Sequence, residues 1–162
     1  MLMCKHSGFM GAAANEEKTV LVVEDSADDL FLFEMAVKKS GSKCSFRYVH
    51  DGEEAIAYMK GEAPFEDRKA HPFPDIVFLD LSLPKKDGFE VLDWMRAAPG
   101  CQELKVIVLS GWEYPRHVER AKKAGASMFV QKPIDGRGLG QLVASISNAM
   151  VDGSEPGGPV AE

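Results

Sequence analysis

The chain has 162 residues, of which 45% are hydrophobic, and its formal net charge is −6 at pH 7. This length suits one domain with tails, and the apolar share is sufficient for a substantial core. The acidic balance argues against general affinity for nucleic acids or for anionic membrane surfaces, because both require clustered Lys and Arg.

The cysteines and the N-terminal segment indicate a cytoplasmic protein. Cys4, Cys44 and Cys101 are odd in number and lack the spacing of a metal site, which favours a reducing compartment. No apolar run approaches the roughly 18 residues that a membrane-spanning helix needs. Residues 1–14 contain no continuous apolar core, so we do not interpret them as a signal peptide.

Composition divides the chain into a central domain and two tails. Residues 1–17 are rich in Gly and Ala, and residues 151–162 contain too few apolar residues to fold. We therefore expect a flexible N-terminal tail, one domain at residues 18–150 without internal repeats, and a disordered C-terminal tail.

Short apolar runs alternate with helical signals along this domain. The runs are typical of buried parallel strands, and they are Lys18–Glu24, Cys44–Val49, Ile76–Asp80, Leu104–Ser110 and Ser127–Gln131. A helix is expected after each strand, and the predicted helical segments are 27–40, Gly52–Lys60, 89–99, Glu113–Ala124 and Ile134–Met150.

Polar residues and glycines mark the expected ends of these helices. Ser26 is a predicted N-cap, and Asp51 with Glu54 three residues later resembles a capping box. Gly41 and Gly125 are suited to end helices.

Three segments interrupt the regular pattern. Gly61–Pro74 is a long loop for a compact domain, and loops of this length are often functional or mobile. Asp87-Gly88 predicts a turn. Gly136, Gly138 and Gly140 weaken the first turns of the last helix.

Five strands that alternate with five helices imply a parallel sheet covered on both faces. Two strand orders suit such a unit. Of these we predict the flavodoxin-like one: an α/β fold, a doubly wound five-stranded parallel sheet with the strand order 2-1-3-4-5 and five helices. In this order the first and third strands are neighbours at the switch point, so Glu24, Asp25 and Asp80 are expected to lie side by side.

Carboxylates gathered at one sheet edge indicate a magnesium site. Carboxylates in one pocket repel each other unless a cation intervenes, and Mg²⁺ prefers oxygen ligands. Asp25 and Asp80 are natural direct ligands, and Glu24 can bind directly or through water. The alternative is that Glu24 and Asp25 only cap the first helix.

Asp80 is also a candidate nucleophile, because a carboxylate can attack phosphorus and form an aspartyl-phosphate. Lys132 would supply a positive charge and Ser110 a hydroxyl donor to the phosphoryl group. Taken singly, Lys132 and Ser110 also fit ordinary polar positions at strand ends. A cis bond before Pro133 would aim Lys132 back over the crevice.

The motifs at the strand ends resemble, jointly and in this order, the receiver domain of two-component response regulators. They are Val-Val-Glu-Asp at 22–25, Leu-Asp-Leu-Ser-Leu-Pro-Lys-Lys-Asp-Gly at 79–88, Val-Leu-Ser-Gly at 108–111 and Gln-Lys-Pro at 131–133. The resemblance covers about residues 18–150. It implies a cytoplasmic phosphoprotein of a two-component signal transduction system or phosphorelay.

The resemblance also implies roles for individual residues. Asp80 would accept a phosphoryl group from a histidine kinase, with Lys132 and Ser110 assisting. Mg²⁺ would be held by Glu24, Asp25, Asp80 and the backbone carbonyl of Ser82. Ser110 matches the switch hydroxyl, and Phe129 matches the aromatic residue whose rotamer follows it. Longer side chains are common in the family at the position of Ser82.

The 61–74 loop and the Leu-Pro-Lys-Lys-Asp-Gly motif are similar to single-domain receivers that partner bacterial phytochrome kinases. Nothing after residue 150 could form a DNA-binding or enzymatic output domain. We therefore expect a signal passed by protein contact or onward phosphotransfer, with a possible homodimer through the 113–150 face and no enzyme activity beyond Mg²⁺-dependent self-phosphorylation and autodephosphorylation.

Three alternatives come from other classes of protein. A flavodoxin-like electron carrier would need a Ser/Thr/Gly-rich phosphate loop after the first strand, where this chain has acidic residues. An Mg²⁺-dependent phosphatase with an aspartyl nucleophile usually has a second Asp two residues further on, where this chain has Ser82. A phosphorylation-independent pseudo-receiver, acting only as a binding module, is the closest rival.

Overall fold

A computed structural model describes residues 17–111, 114–132 and 135–153 of the chain. Strands and helices alternate along these residues. The strands are β1 (Thr19–Val23), β2 (Ser45–Val49), β3 (Ile76–Asp80), β4 (Lys105–Ser110) and β5 (Met128–Gln131). The helices are α1 (Ala27–Ser40), α2 (Gly52–Lys60), α3 (Gly88–Ala97), α4 (Pro115–Lys123) and α5 (Gly136–Asp152).

The strands form one parallel sheet in the order β2-β1-β3-β4-β5. The predicted fold class and strand order are therefore confirmed. Val23 of β1 lies opposite Leu79 of β3. The residues that follow them, Glu24 and Asp80, consequently leave the sheet at the same edge.

The two faces of the sheet carry separate apolar layers, because successive strand residues point to opposite faces. One layer includes Leu21 and Val77 and packs against α2, α3 and α4. The other includes Val20 and Phe78 and packs against α1 and α5. All residues of β1 and β3 are buried, as expected for strands covered on both faces. None of the helices in the described ranges is long and apolar enough to cross a membrane.

Several predicted helix ends are observed. The Ser26 hydroxyl oxygen accepts a hydrogen bond from the Asp29 amide at 3.3 Å at the start of α1. Gly41 ends that helix in the left-handed conformation, with φ of 66°. Gly125, just after α4, has φ of 90°. Glycine adopts this region without the steric cost that a side chain would bring.

The predicted capping box at Asp51 forms only in part. The Asp51 carboxylate accepts the Glu54 amide hydrogen bond at 2.8 Å, but the Glu54 carboxylate accepts from the amide of His50 instead of that of Asp51. The reciprocal box occurs at α3, where we predicted a turn. There the Asp87 and Glu90 side chains accept each other's amide hydrogen bonds at 2.9 and 2.8 Å.

Helices α4 and α5 differ from their predicted bounds. Their predicted first residues, Glu113 and Ile134, lie outside the described residues. The observed α4 begins at Pro115, because proline suits the first turn of a helix. Helix α5 begins after Asp135, whose carboxylate accepts the Gly138 amide hydrogen bond at 2.6 Å and so stabilises a first turn weakened by glycine.

The long Gly61–Pro74 segment is held against the end of α2 by an arginine. The Arg68 guanidinium donates to the carbonyl oxygens of Tyr58 and Met59 at the helix end, both at 2.7 Å, and the Tyr58 carbonyl also accepts from the Gly61 amide at 3.1 Å. The Tyr58 hydroxyl donates to the Pro72 carbonyl at 2.9 Å. The segment is thus built into the domain by buried polar contacts.

A second arginine, Arg96, joins the α3–β4 connection to the α4–β5 turn. Its guanidinium donates to the carbonyl oxygens of Cys101 at 3.2 Å, Gln102 at 2.6 Å, Leu104 at 3.0 Å and Gly125 at 2.7 Å. One side chain therefore contacts four carbonyls from two connections.

Replacing Arg96 with Met should lower the free energy of unfolding by about 2–4 kcal/mol, because two half-buried and two exposed hydrogen bonds from a charged donor are lost while the apolar stem is kept. Urea unfolding followed by circular dichroism would measure this. Arg116→Met is the control, since Arg116 is exposed and, among the described residues, its guanidinium lies over the Tyr114 ring at 5.2 Å; a change of about 0.5 kcal/mol or less is expected there. Equal losses in the two variants would contradict the prediction.

Candidate functional site

An acidic cluster lies where β1 and β3 end, at the edge of the sheet formed by the carboxyl ends of the strands. Oxygens of Glu24, Asp25 and Asp80 all lie within 4.8 Å of one another. Glu24 and Asp80 are 5% and 7% exposed, whereas Asp25 is exposed. The parallel register of β1 and β3 explains this meeting, because the connections of a doubly wound sheet diverge at such a switch point.

Lys132, which directly follows β5, reaches into this cluster. Its ammonium donates to Asp80 Oδ2 at 2.9 Å, to Asp29 Oδ2 at 2.8 Å and to a carboxylate oxygen of Glu24. The Lys132 amide also donates to the Ser110 carbonyl at 2.8 Å, which fixes the backbone from which the side chain extends. The backbone of Lys132 is therefore fixed to the end of β4, and its side chain bridges three carboxylates.

The electrostatics of the cluster follow from burial and from an excess of negative charge. Burial raises the pKa of Glu24 to about 7, and the nearby Asp80 adds to this, while hydrogen bonds from Lys132 and from the Ser26 amide offset only part of the rise. Burial alone would lower the pKa of Lys132, but its hydrogen bonds to the three carboxylates raise it above the usual value. The site therefore attracts further positive charge.

The residues present fit a hard divalent cation. Three clustered carboxylates supply the oxygen ligands that Mg²⁺ and Mn²⁺ prefer. The ammonium of Lys132 contacts Glu24 and Asp80 of this cluster, and Asp29 beside it, so these carboxylates stabilise a positive charge at the same sheet edge. The donor set and its charge are thus suited to a divalent cation.

Asp80 is held on both sides of its carboxylate. Oδ1 accepts a hydrogen bond from the Ser82 amide at 2.8 Å, and Oδ2 accepts from Lys132. The side chain of Ser82 is exposed. The side chain beside the buried Asp80 is thus small and points to solvent.

Ser110 and Phe129 lie on the same face of the sheet. Ser110 pairs with Gln131 in the β4–β5 register, and Phe129 is two residues earlier in β5. Residues two apart in a strand share a face, which here is the face packed against α2, α3 and α4. Ser110 is 0% exposed, whereas Phe129 is partly buried.

The structure thus brings Glu24, Asp25, Asp80 and Lys132 together, with Ser82 beside them. Pro133, the predicted cis-proline candidate, lies outside the described residues. Sequence reasoning assigned Asp29 only to the first turn of α1 and missed its contact with Lys132. The sequence did contain a signal for this contact. Asp29 lies in the first turn of α1, which begins at the same sheet edge as Glu24 and Asp25.

The doubly wound sheet, with an acidic cluster and a lysine at its switch point, defines a receiver-type signalling domain. Consistent with this, the family model for the response regulator receiver domain matches residues 20–144, and the chain belongs to this family.

Its relatives include proteins named for phytochrome signalling. Response regulator Rcp1 of Synechocystis sp. is 35% identical over 101 residues, which are 62% of this chain and 67% of that protein. The crystal structure of the phosphorylated cyanobacterial phytochrome response regulator RcpA is 29% identical with a TM-score of 0.75, covering 86% of this chain and 97% of that one. The Mn²⁺-bound form of Rcp1 is 27% identical with a TM-score of 0.73, covering 87% and 99%.

Proposed function

We propose that this chain is a cytoplasmic single-domain response regulator, with its receiver domain at residues 18–150, that accepts a phosphoryl group on Asp80 from a histidine kinase in the presence of Mg²⁺. The observation that carries the proposal is the setting of Asp80. Its carboxylate lies between the Lys132 ammonium and the Ser82 amide, within a carboxylate cluster suited to a divalent cation.

In the proposed reaction, an oxygen of Asp80 attacks the phosphorus of a phosphohistidine. A P–O bond forms as the P–N bond breaks, and the released imidazole of the kinase takes up a proton from water. Lys132 holds a phosphoryl oxygen by charge, and Ser110 donates its hydroxyl to another. Asp29 keeps Lys132 extended over the site.

The metal would be held by Glu24, Asp25, Asp80 and the carbonyl of Ser82. When bound, Mg²⁺ supplies positive charge that offsets the repulsion between the carboxylates and the incoming phosphoryl group. The crystal structure of the Mn²⁺-bound form of Rcp1, a relative, supports a divalent ion at this site.

Signalling would follow from a shift in the population of two conformations. Ser110 and Phe129 share a sheet face, which supports a switch in which movement of the hydroxyl makes room for the ring. The changed surface would be the 113–150 face, acting through a homodimer, a downstream protein or onward phosphotransfer. A monomer by light scattering in both phosphorylation states would argue against the homodimer.

The likeness to a phytochrome response regulator supports a histidine kinase of the phytochrome type as the partner of this chain. RcpA is described as a phytochrome response regulator, and the matched region covers 97% of it. Phosphotransfer from a phytochrome kinase domain, compared with an unrelated histidine kinase at equal concentration, would test this choice of partner.

Incubation of the protein with acetyl phosphate is expected to add one phosphoryl group only when Mg²⁺ is present. Intact-mass spectrometry with Mg²⁺ and with EDTA would measure the adduct, and peptide mapping after borohydride reduction would locate it. An adduct on Asp80 supports the receiver function. Lack of any adduct, under conditions that trap short-lived species, would favour the phosphorylation-independent binding module.

A further inference from the structure

The loop between β3 and α3 carries Ser82, and its far end is fixed to the start of α2. Asp51, the N-cap of α2, is only 6% exposed. Its Oδ1 accepts the Glu54 amide hydrogen bond at 2.8 Å, and its Oδ2 lies 2.9 Å from the Lys85 ammonium. Capping of α2 uses one carboxylate oxygen of Asp51. The other oxygen is free for the contact with Lys85 in the loop.

At this contact the backbone of the loop lies too close to position 52, the first residue of α2, for any residue with a side chain there. A Cβ added at Gly52 would lie 2.1 Å from the Lys86 carbonyl oxygen, a distance that a real Cβ does not reach. The main chain of the loop therefore rests directly on the first residue of α2. Asp51 and Gly52 together hold the loop against the start of α2.

Lys85 adopts a backbone conformation that non-glycine residues rarely take, with φ of 65°. This left-handed conformation is sterically unfavourable for a residue with a side chain. Strain of this kind persists where surrounding contacts determine the conformation, and it concentrates at functional sites. The ion pair with Asp51 ties this strained residue to the start of α2.

At its other end, the loop is closed tightly onto β3. The Gly88 amide donates to the Leu81 carbonyl at 3.0 Å, and a Cβ at Gly88 would lie 2.4 Å from the Asp80 carbonyl oxygen. The loop is thus fixed at both ends, and Ser82 lies between these anchors with its amide on Asp80 Oδ1. A shift at Lys85 is therefore transmitted to Ser82.

We propose that Asp51 is a positioning residue of the phosphoryl and metal site, which sets the place of Ser82 by holding Lys85. This inference rests on the proposed function, since Ser82 matters through its carbonyl ligand and its contact with Asp80. The Asp51 carboxylate is suited to the role. Burial alone would raise its pKa, but the hydrogen bonds from Glu54 and Lys85 lower it, so it stays ionised at neutral pH.

Asp51→Asn tests this with little change of shape, because Asn also caps helices well and keeps an oxygen for the Glu54 amide while losing the charge that holds Lys85. Lys85→Met removes the same contact from the other side. Each variant should weaken Mn²⁺ binding and slow phosphorylation by acetyl phosphate by about three- to tenfold, as part of one charge-assisted hydrogen bond is lost. The double variant should match the single ones, because both remove one interaction.

Electron paramagnetic resonance of free Mn²⁺ would give the dissociation constants, and thermal unfolding in EDTA would report stability. The control is Lys60→Met, which removes the exposed ion pair of Lys60 with Glu62, 2.5 Å long, at the other end of α2. It should bind Mn²⁺ as the wild type does.

Two outcomes would overturn the inference. Wild-type Mn²⁺ affinity and phosphorylation in both Asp51→Asn and Lys85→Met would reject the positioning role while leaving the proposed function intact. This holds even if their melting temperatures fall, because a purely structural cap changes stability alone. A wild-type chain that neither binds Mn²⁺ nor forms the adduct would reject the proposed function, and this inference with it.

Discussion

Asp80→Asn is expected to abolish the phosphoryl adduct. Asn has nearly the same shape, but its amide oxygen is neither charged nor nucleophilic enough to attack phosphorus. The substitution should leave the fold intact, because Lys132 retains Glu24 and Asp29 as partners. Intact mass after incubation with acetyl phosphate and Mg²⁺ should show the unmodified protein alone, and circular dichroism should match the wild type.

Asp29→Asn is the matched control for this experiment. Asp29 also accepts a hydrogen bond from Lys132, at 2.8 Å, and the substitution removes the same charge from the same cluster. It is nevertheless neither the proposed phosphoacceptor nor a proposed metal ligand. The adduct should therefore still form in Asp29→Asn. An adduct of undiminished yield in Asp80→Asn, for example on Asp25, would show that the phosphoacceptor is assigned wrongly.

The sheet and its acidic edge could be predicted because the signals are local. Buried parallel strands read as continuous apolar runs, and β1 and β3 are buried at every position. The alternation of elements indicates a parallel sheet, and in the flavodoxin-like strand order the register brings Glu24 beside Asp80. These steps use the spacing along the chain, a known strand order of this fold class and the rule that polar residues ending neighbouring strands share one edge.

The contacts that the sequence did not reveal depend on side-chain direction and on packing between distant segments. Asp29 contacts Lys132 because of how α1 is rotated about its axis. The spacing of residues along the chain does not determine this rotation. Asp51 and Asp87 look alike as caps, yet only Asp87 forms the reciprocal box. The Glu54 carboxylate accepts from the amide of His50 instead.

The contact of Asp51 with Lys85 belongs to the same group of unpredicted features. It joins the β2–α2 connection to the β3–α3 loop, and nothing in either segment by itself indicates the other. The close approach at Gly52 was equally hidden, because a glycine after an N-cap is unremarkable until the carbonyl of Lys86 is placed against it. Such tertiary contacts arise only once the sheet has fixed both connections.

Lys132→Met is expected to change metal binding and phosphorylation in opposite directions. The ammonium of Lys132 occupies the carboxylates that a divalent cation would use, so its removal should tighten Mn²⁺ binding by about tenfold or more. Phosphorylation by acetyl phosphate should become about 100-fold slower, because a charged donor to the phosphoryl oxygens is lost. Met keeps most of the apolar length of the side chain, so packing is largely conserved.

The same substitution should make stability depend on the metal. Glu24 and Asp80, both buried, lose their shared cation, and breaking a buried ion pair from one side costs about 3–5 kcal/mol. Added Mg²⁺ should restore much of this loss, because an ion that binds only the folded state stabilises it. Lys18→Met is the control, since Lys18 pairs only loosely with Asp75, at 3.9 Å. If Mn²⁺ affinity and phosphorylation fell together in Lys132→Met, the lysine would have to assist the metal rather than compete with it, and the assignment of its charge to the phosphoryl group would be wrong.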